Sequence, residues 1–414
     1  MNTDIFTTKK LKTLVDMRMG PTVLQKDLSD NGLPVFSAGN QEHPWGYTNK
    51  NVIAFNKGIL VISARGTIGV PKLPQFDYFT CTQTTIAIQP KKELDVRYLY
   101  YFLQSVNWDS IVSGVATPML TISILGEIDI ILPSIEIQRR IVSKLDAFLP
   151  QIRLNRSRIE KISTILKRFR QSVISAACSG SLIESFNEYD FDKWAEVRIL
   201  LNDRKNRING LPSHWVLTNL GNLCDGFQYG TSKKSEASGL VPVLRMGNLQ
   251  NGEVDWSGLK YSSDKSDMEK YALSDGDVLF NRTNSPDLVG KTSIYRGQGK
   301  AIFAGYLIRI RNKKDVLLSE YLTYCLNSNY GRKWREEVRT DGVGQSNINA
   351  TVLASFPVPL PPIDEQKEII KKAQQLLKIA DSIESRHQKA MVGVDLIERS
   401  ILNHAFKGEL TERK

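Results

Sequence analysis

The sequence contains one unit twice, so any fold assigned to it has two similar halves. Leu132–Val142 has the sequence LPSIEIQRRIV, and Leu360–Ile370, which begins 228 positions later, has the sequence LPPIDEQKEII. Farther upstream, Pro34–Asn40 (PVFSAGN) matches Pro242–Asn248 (PVLRMGN). An internal repeat of this length indicates that one architecture occurs twice in the chain.

Each copy ends in a long segment whose apolar residues have the three- and four-residue spacing of a coiled-coil seam. Prolines precede both segments, Gly180 and Gly408 mark the positions where helices would end, and Pro150 predicts a kink or a break in the first helix. The predicted seam comprises Ile141, Leu145, Phe148, Ile152, Ile159, Ile162, Leu166, Phe169 and Val173 in the first helix, and Ile369, Ala373, Leu376, Ala380, Ile383, Ala390, Val394, Ile397 and Ile401 in the second. Helices related by a local two-fold axis would pack antiparallel; the alternative is that each helix belongs to a separate bundle.

The remaining sequence predicts an α+β fold. Short β-branched runs bounded by Asn, Gly or Pro indicate strands, and stretches near 94–105 and 316–335 indicate helices. The predicted organisation is two similar mixed α/β domains, each followed by a long helix, with the two helices packed as an antiparallel coiled coil. The predicted boundaries are domain 1 at 1–133, helix 1 at 134–183, a linker at 184–210, domain 2 at 211–361 and helix 2 at 362–414.

The sequence lacks the motifs of the enzymes that commonly act on DNA. Asn284–Asp287 (NSPD) lacks the second proline and the aromatic residue of an amino-methyltransferase loop. Gly290-Lys291-Thr292 has Ser285 where a phosphate-binding loop needs its first glycine. The four cysteines and four histidines do not form the close pairs of a zinc site, so the cysteines are predicted to be buried apolar side chains. We expect a non-catalytic chain that holds no metal.

A DNA-binding role is predicted from charge and from polar loops that recur in both copies. The formal net charge is +11, from 55 Lys and Arg against 44 Asp and Glu. Arg reads guanine and Asn or Gln reads adenine, while Lys, Ser and Thr hold phosphates. Ser63–Thr67 and Asn281–Ser285 follow matched strands. The candidate DNA-binding residues are His43, Tyr47, Arg65 and Thr67 in the first copy, and Tyr229, Thr231, Lys233, Lys234, Arg245, Asn248, Arg282, Thr283, Asn284, Gln345 and Ser346 in the second.

The sequence resembles the specificity subunits of type I restriction–modification systems over nearly its whole length. The motifs that carry the resemblance are Leu360–Gln366 at the start of the second helix, Leu166–Gln171 and Ala176–Gly180 in the first, Ser400–Leu410, Leu211–Trp215 and Asp275–Phe280. The first domain begins near Leu11–Leu14 without the LPSHW signature of Leu211–Trp215, so its opening segment is the part of the resemblance with least support.

The resemblance implies a cytoplasmic, non-catalytic subunit that binds double-stranded DNA and holds no cofactor. Each domain would read one half of a bipartite target, and the helices would set a fixed gap between the halves. Two modification subunits would carry S-adenosylmethionine and methylate adenine. Restriction subunits would supply ATP-driven translocation and nuclease activity, with ATP and magnesium bound there. The alternatives are a single-chain DNA-modifying enzyme with an unfamiliar motif and a coiled-coil scaffold without a DNA role.

Overall fold

The computed structural model describes residues 7–112, 118–183, 190–201 and 210–407. The chain divides into two compact units: the first comprises residues 1–161 and 387–414, and the second comprises residues 162–386. Each unit therefore contains a mixed domain and one part of each long helix. No helix among the described residues is long and apolar enough to cross a membrane.

The first unit contains ten strands and most of five helices, together with a 3-10 turn at Gln25–Asp27. The strands are β1 (Thr7–Lys10), β2 (Val15–Met19), β3 (Leu33–Phe36), β4 (Gly46–Thr48), β5 (Phe55–Asn56), β6 (Leu60–Ser63), β7 (Pro71–Lys72), β8 (Tyr78–Cys81), β9 (Thr85–Pro90) and β10 (Asp129–Leu132). The helices are α1 (Leu11–Leu14), α2 (Val96–Ser105), α3 (Trp108–Val112), α4 (Ile122–Gly126) and the long α5 (Ile135–Ala177), which continues into the second unit.

The second unit has fourteen further strands and 3-10 turns at Leu220–Leu223 and Met246–Asn248. The strands are β11 (Val216–Asn219), β12 (Cys224–Tyr229), β13 (Val241–Leu244), β14 (Leu249–Gln250), β15 (Glu253–Val254), β16 (Lys260–Ser262), β17 (Val278–Asn281), β18 (Thr283–Asn284), β19 (Thr292–Ile294), β20 (Ile302–Phe303), β21 (Leu307–Asn312), β22 (Thr340–Gly342), β23 (Gln345–Asn347) and β24 (Pro357–Leu360). The helices are α6 (Phe191–Leu200), α7 (Lys265–Lys270), α8 (Ser319–Asn327), α9 (Asn329–Val338), α10 (Ala350–Ala354) and the long α11 (Ile363–Phe406), whose last part lies in the first unit.

The sheets of the two units follow the same plan, as the repeat predicts. The sheet β2-β9-β6-β7 corresponds to β12-β21-β17-β19, and every neighbouring pair in both is antiparallel. The sheet β4-β3-β8 corresponds to β16-β13-β20, each with one antiparallel and one parallel pair. The pairs β1-β10 and β11-β24 also match. The mixed fold and its duplication are therefore confirmed.

A buried glutamine explains why the segment Leu132–Gln138 is repeated at Leu360–Gln366. Gln138 donates from Nε2 to the carbonyls of Glu93 and Pro133 at 2.9 Å and accepts from the backbone N–H of Asp95 at 2.8 Å. Gln366 donates to Val316 and Pro361 and accepts from Leu318 in the same pattern, at 2.8, 3.0 and 2.9 Å. Asp95 and Leu318 are the N-cap residues of α2 and α8, so each glutamine fixes the start of a long helix to the preceding short helix.

Replacing either glutamine should destabilise its own unit. Gln366→Ala removes one acceptor and two donors, leaving three backbone groups without their partner at a fully buried position, and each such group costs about 1–3 kcal/mol. Denaturant unfolding should show a loss of several kcal/mol for Gln366→Ala and for Gln138→Ala. The exposed Gln374→Ala on α11 is the control and should leave the midpoint unchanged. Equal stability in all three variants would contradict this role.

In each unit, ion pairs join part of α5 to part of α11. In the first unit, Arg156 Nη2 lies 2.6 Å from Asp395 and 2.7 Å from Glu398. In the second unit, Arg170 Nη2 lies 2.5 Å from Asp381 and 2.8 Å from Glu384. In the first unit, Arg153 Nε also lies 3.7 Å from Glu398, so position numbers rise along α5 as those of the partners fall along α11. Charged pairs accompany the apolar seam in both units.

The predicted seam is displaced at four positions. Phe148, Ile383 and Ile397 are 49%, 40% and 53% exposed, and Ala390 is exposed as well. The neighbouring Leu149 is fully buried, and Glu398 turns inward to Arg156. An α-helix has about 3.6 residues per turn, so a strict seven-residue pattern drifts off the buried face. Of the other predicted seam residues, those buried are Ile141, Leu145, Leu166, Val173, Ile369, Ala373 and Ala380, and those half-buried are Ile152, Ile159, Ile162, Phe169, Leu376, Val394 and Ile401.

Two further sequence expectations differ from the structure. Helix α5 is continuous through Pro150, so the predicted break does not occur. The segment predicted as a linker, 184–210, contains the helix α6, whose Trp194 is buried in the core of the second unit and donates to the His214 carbonyl at 2.9 Å. The flanking residues 184–189 and 202–209 of that segment, and Gly408, lie outside the described residues.

Candidate nucleic-acid interface

In the second unit, one turn joins the candidate loops. The turn Ala304–Tyr306 links β20 to β21. Ala304 N–H donates to the Leu244 carbonyl at 2.9 Å, Gly305 N–H donates to Thr231 at 2.7 Å, and Arg282 N–H donates to Tyr306 at 3.0 Å. The segments that begin at Thr231, Arg245 and Arg282 are therefore adjacent in space, although they are distant in sequence.

The first unit has the same arrangement around the turn Thr82–Thr84. Thr82 N–H donates to the Phe36 carbonyl at 2.9 Å, as Ala304 does to Leu244, and Ala64 N–H donates to Thr84 at 2.8 Å, as Arg282 does to Tyr306. The segments at Ser37–Asn40 and Arg65–Thr67 consequently correspond to those at Arg245–Asn248 and Thr283–Ser285. The backbone frame is shared, while the side chains that it carries differ.

Two of the candidates, Arg282 and Tyr229, stack on each other. The Arg282 guanidinium lies 4.9 Å from the centre of the Tyr229 ring, and Arg282 Nη1 donates weakly to the Gly305 carbonyl at 3.4 Å. The Tyr229 hydroxyl accepts from the Ala350 N–H at 2.9 Å. The Arg282 Nε has no hydrogen-bond partner among the described residues. Because this Nε is buried, any contact of Arg282 with a base edge or a phosphate would use the terminal nitrogens of the stacked guanidinium.

A small three-stranded sheet extends this candidate surface. Strand β18 carries Thr283 and Asn284 and pairs with β23, which in turn pairs with β22. Thr283 Oγ1 accepts from Asn347 Nδ2 at 3.0 Å, while Gln345 and the hairpin tip at Val343 are exposed. The sheet places Thr283, Asn284 and Gln345 beside Arg282.

Three predicted DNA-binding residues of the second copy are instead buried and have structural hydrogen bonds. Thr231 donates to Asp267, and Ser346 donates to Asp341. Asn248 donates to the carbonyls of Asp255 and Ser257 at 2.9 and 3.1 Å and accepts from the Arg245 N–H. Because each side chain is at most 4% exposed, none can reach DNA in this conformation, which corrects the sequence prediction. They shape the loops that hold the exposed candidates.

The remaining cations of the second copy are accessible. Lys233 pairs with Asp264 at 2.6 Å, and the hydrogen bond to that carboxylate raises the pKa of Lys233. Lys234 is exposed. Arg245 is half-buried and donates from Nη2 to the Gly258 carbonyl at 3.0 Å, with its Nε unpartnered among the described residues. Lys233 would exchange an intramolecular carboxylate for a phosphate on binding DNA.

In the first unit the four candidates lie on two loops. His43 is exposed, with Nδ1 3.0 Å from the Pro44 carbonyl, and Tyr47 is half-buried on β4, where it pairs with Pro34. Arg65 and Thr67 are exposed in the loop that follows β6, and Arg65 Nε contacts the Met119 sulfur at 3.1 Å. These loops follow β3 and β6, which pair with the strands β8 and β9 on either side of the Thr82–Thr84 turn.

Sequence reasoning missed a cationic groove in the second unit. It is lined by Lys167 and Arg168 of α5 and by Arg332 and Arg335 of α9. The available signal was the three-residue spacing of the two arginines on a helix, but their proximity to α5 depends on the fold. Among the described residues, no three His, Cys, Asp or Glu side chains gather as a metal site would require, and all four cysteines are buried and unpaired.

Comparison with known proteins defines the class. A family model described as the type I restriction modification DNA specificity domain matches residues 4–164 and again residues 212–391. The chain therefore belongs to the family of DNA specificity subunits of type I restriction–modification systems, which are non-catalytic subunits. It is 31% identical over 333 residues to the type I restriction enzyme StySPI specificity subunit of Salmonella potsdam. The alignment covers 78% of this chain and 68% of that protein.

A second relative is covered less completely. The type I restriction enzyme EcoKI specificity subunit of Escherichia coli K12 is 31% identical over 252 residues, which cover 59% of this chain and 50% of that protein. The alignment thus spans half of the length of that relative.

Solved structures share the fold. A chain from a study of complex assembly and conformational transition in the type I R-M system aligns with a TM-score of 0.72, at 18% identity, over 98% of both chains. The HsdS subunit of Thermoanaerobacter tengcongensis aligns with a TM-score of 0.55, also at 18% identity, over 98% of this chain and 97% of that one. The two-domain α+β fold with long helices is therefore common to these proteins.

Arg282 provides the sharpest single-residue prediction at this surface. Because a bidentate arginine–guanine contact is worth about 1–3 kcal/mol of discrimination, Arg282→Ala should relax the sequence preference at one position of one half of the target. Methylome sequencing of cells that express the variant with its modification subunit would measure this. Arg311→Ala, an exposed arginine on β21, is the matched control and should leave the motif unchanged. An unchanged motif with Arg282→Ala would remove Arg282 from the reading surface.

Proposed function

We propose that this specificity subunit reads a bipartite double-stranded DNA target, one half with each domain, across a fixed non-specific gap. The observation that carries the proposal is the pair of matched turns, Thr82–Thr84 and Ala304–Tyr306, which hold the same backbone frame in both units. The side chains on that frame differ, with the exposed Arg65 and Thr67 in one unit and the half-buried Thr283 and Asn284 in the other. Two similar frames with different side chains suit two different half-sites.

The long helices support a fixed gap. Each unit joins a segment of α5 to a segment of α11 through arginine–carboxylate pairs and buried apolar residues. A helix of 43 residues, as in α5, is about 65 Å long at 1.5 Å per residue. Paired helices resist bending better than a single flexible linker, so the gap between half-sites would vary little.

The subunit would work in the cytoplasm and direct chemistry that other subunits perform. Two modification subunits would bring S-adenosylmethionine and the adenine-methylating site. Restriction subunits would bring ATP, magnesium and the nuclease. This chain would bind none of these cofactors itself and would supply the DNA sequence preference of the whole complex.

The proposal is tested by co-expressing the chain with the modification subunit encoded beside it and mapping methylated adenines across a host genome by long-read sequencing. We expect a split motif with a constant gap. The modification subunit expressed alone is the control and should produce no such motif. Methylation of an unsplit motif would contradict the bipartite reading.

Two other outcomes would support the alternatives. Methylation by this chain without any other subunit would indicate a single-chain enzyme. No motif with the complete complex would indicate a scaffold without a DNA role.

A further inference from the structure

The cationic groove of the second unit lies outside the loops predicted to read bases. It encloses about 430 Å³ between α5 and α9 and is lined by Thr164, Lys167, Arg168, Gln171, Asn327, Asn329, Arg332 and Arg335. The lining has four cationic side chains, four neutral polar ones and no carboxylate. It also has no aromatic ring and no purely aliphatic side chain. This composition suits oxygen anions.

Two lining residues are held in place by the backbone around them. Asn327 Oδ1 accepts from the Thr292 N–H at 3.1 Å, and its Nδ2 donates to the Thr292 carbonyl at 2.7 Å. Arg335 donates to the Leu326 carbonyl and passes so close to Gly290 that a Cβ there would lie 1.8 Å from Arg335 Cδ. The groove is therefore built on fixed elements of the second unit.

The positive charge of the groove has little internal compensation. Burial and the nearby charge of Arg332 lower the pKa of Arg335 to about 10, so it remains a cation at neutral pH. Arg332 has a long, exposed ion pair with Glu336 at 3.9 Å. Lys167 and Arg168 are exposed, with no ion pair recorded among the described residues. An incoming anion would relieve this repulsion.

The groove is not a general product of the repeated fold. The 228-residue offset takes Thr164, Lys167 and Arg168 of α5 to Val392, Asp395 and Leu396 of α11. Those positions carry no cation, and Asp395 is itself paired with Arg156 in the first unit. Because the other copy packs without this charge, stability of the repeat does not require it.

Helix α9 connects the groove to the candidate reading surface. The ten residues of α9 span about 15 Å. Arg339, the residue after the helix, donates to the Pro286 carbonyl at 2.9 Å, in the loop that follows β18, and the chain then enters β22. Since duplex DNA has about one phosphate charge per 1.7 Å of its axis, a duplex read at β18 and β23 has phosphates within that distance.

We propose that this groove binds the phosphodiester backbone of the target duplex, so that DNA contact extends from the reading loops of the second unit onto α5. The inference rests on the proposed function, because it needs a duplex at β18 and β23. The contact is independent of sequence and would exist in one half of the complex only. It would fix the orientation of the duplex without changing which bases are read.

The test uses the complete complex with its modification subunits. The combined variant Lys167→Gln, Arg168→Gln and Arg332→Gln removes three exposed cations and leaves the half-buried Arg335 in place. Dissociation constants are measured for a target duplex and a scrambled duplex over a series of salt concentrations. Each lost phosphate contact should reduce the slope of log K against log salt by about 0.9, so we expect a reduction of about 1 to 2.7 with both duplexes. The methylated motif should not change.

A control variant with the same change of charge is Lys300→Gln, Arg311→Gln and Lys333→Gln, all exposed positions of the second unit outside the groove. An unchanged slope, or an equal reduction in the control, would overturn the proposal. Failure of the groove variant to assemble with its modification subunits would also overturn it, since the groove would then hold an acidic segment of a partner. Failure of the proposed function is distinct: the unaltered complex would then not prefer the target over the scrambled duplex.

Discussion

Replacing residues 1–133 with the corresponding segment of another specificity subunit should change one half of the methylated motif completely and leave the other half and the gap intact. The exchanged segment carries all four candidate contacts of the first unit and the Thr82–Thr84 turn. The bonds that Gln138 of α5 makes to this segment are generic, because its side chain bonds only to backbone groups of Glu93, Asp95 and Pro133. The donor therefore need not match the sequence of this chain at those positions.

Side-chain contacts limit the choice of donor, and two of them are the bonds of Arg97 and Tyr101 to Asp146 of α5, at 2.5 and 2.6 Å. Tyr98 and Phe102 pack edge-on against Phe406 of α11, with ring centres 5.1 and 5.5 Å apart. A donor with aromatic residues at both positions should fold, and long-read methylome sequencing would give its new motif. The reciprocal exchange of 211–361 is the matched control and should alter only the opposite half. A change in both halves, or in neither, would contradict a modular division of reading.

Lengthening both long helices by three heptads should widen the gap by about nine base pairs while methylation is retained. Twenty-one helical residues add about 32 Å, close to the 34–36 Å of one DNA turn. The insertions belong between Arg156 and Arg170 in α5 and between Glu384 and Asp395 in α11, so that the recorded ion pairs on both sides are preserved. The altered gap would be read directly from the methylome.

Shorter and unpaired insertions provide the controls for this experiment. A single heptad in both helices adds about three base pairs and would place the half-sites on different faces of the duplex, so methylation should fall below detection. Three heptads in α5 alone would misalign Arg156 and Arg170 with their carboxylates and should prevent assembly. An unchanged gap after the paired three-heptad insertion would show that the helices do not set it.

The features best predicted from sequence are those that occur in both copies of the repeat. The repeat of Leu132–Gln138 at Leu360–Gln366 predicted where both long helices begin. The hydrogen bonds of Gln138 and Gln366 explain why these segments are alike. The matched segments after β6 and β17 likewise occupy equivalent places beside the turns at 82–84 and 304–306. Duplication makes such positions visible because the same backbone requirement acts on both copies.

Side-chain exposure was less predictable, because it depends on partners distant in sequence. Thr231 is buried and donates to Asp267, and Asn248 is buried and donates to the carbonyls of Asp255 and Ser257. Both residues are polar, as the residues of a DNA-reading loop are. The exposure of Phe148 depends on which face of α5 meets α11. The cationic groove combines α5 with α9, so no local pattern could have joined Lys167 to Arg332.

The place of Phe406 in the core of the first unit has a consequence for biosynthesis. That core also contains Leu402 and Ala405, whereas the described core of the second unit lies between Ala177 and Ile370. The domain that leaves the ribosome first must therefore wait for residues 402–406 before its apolar interior is closed, while the later domain can finish without them. During translation, the early domain is the one exposed to chaperones and proteases. Loss of the last turns of α11 would therefore leave the core of the first domain open, although that domain is encoded far from the deletion.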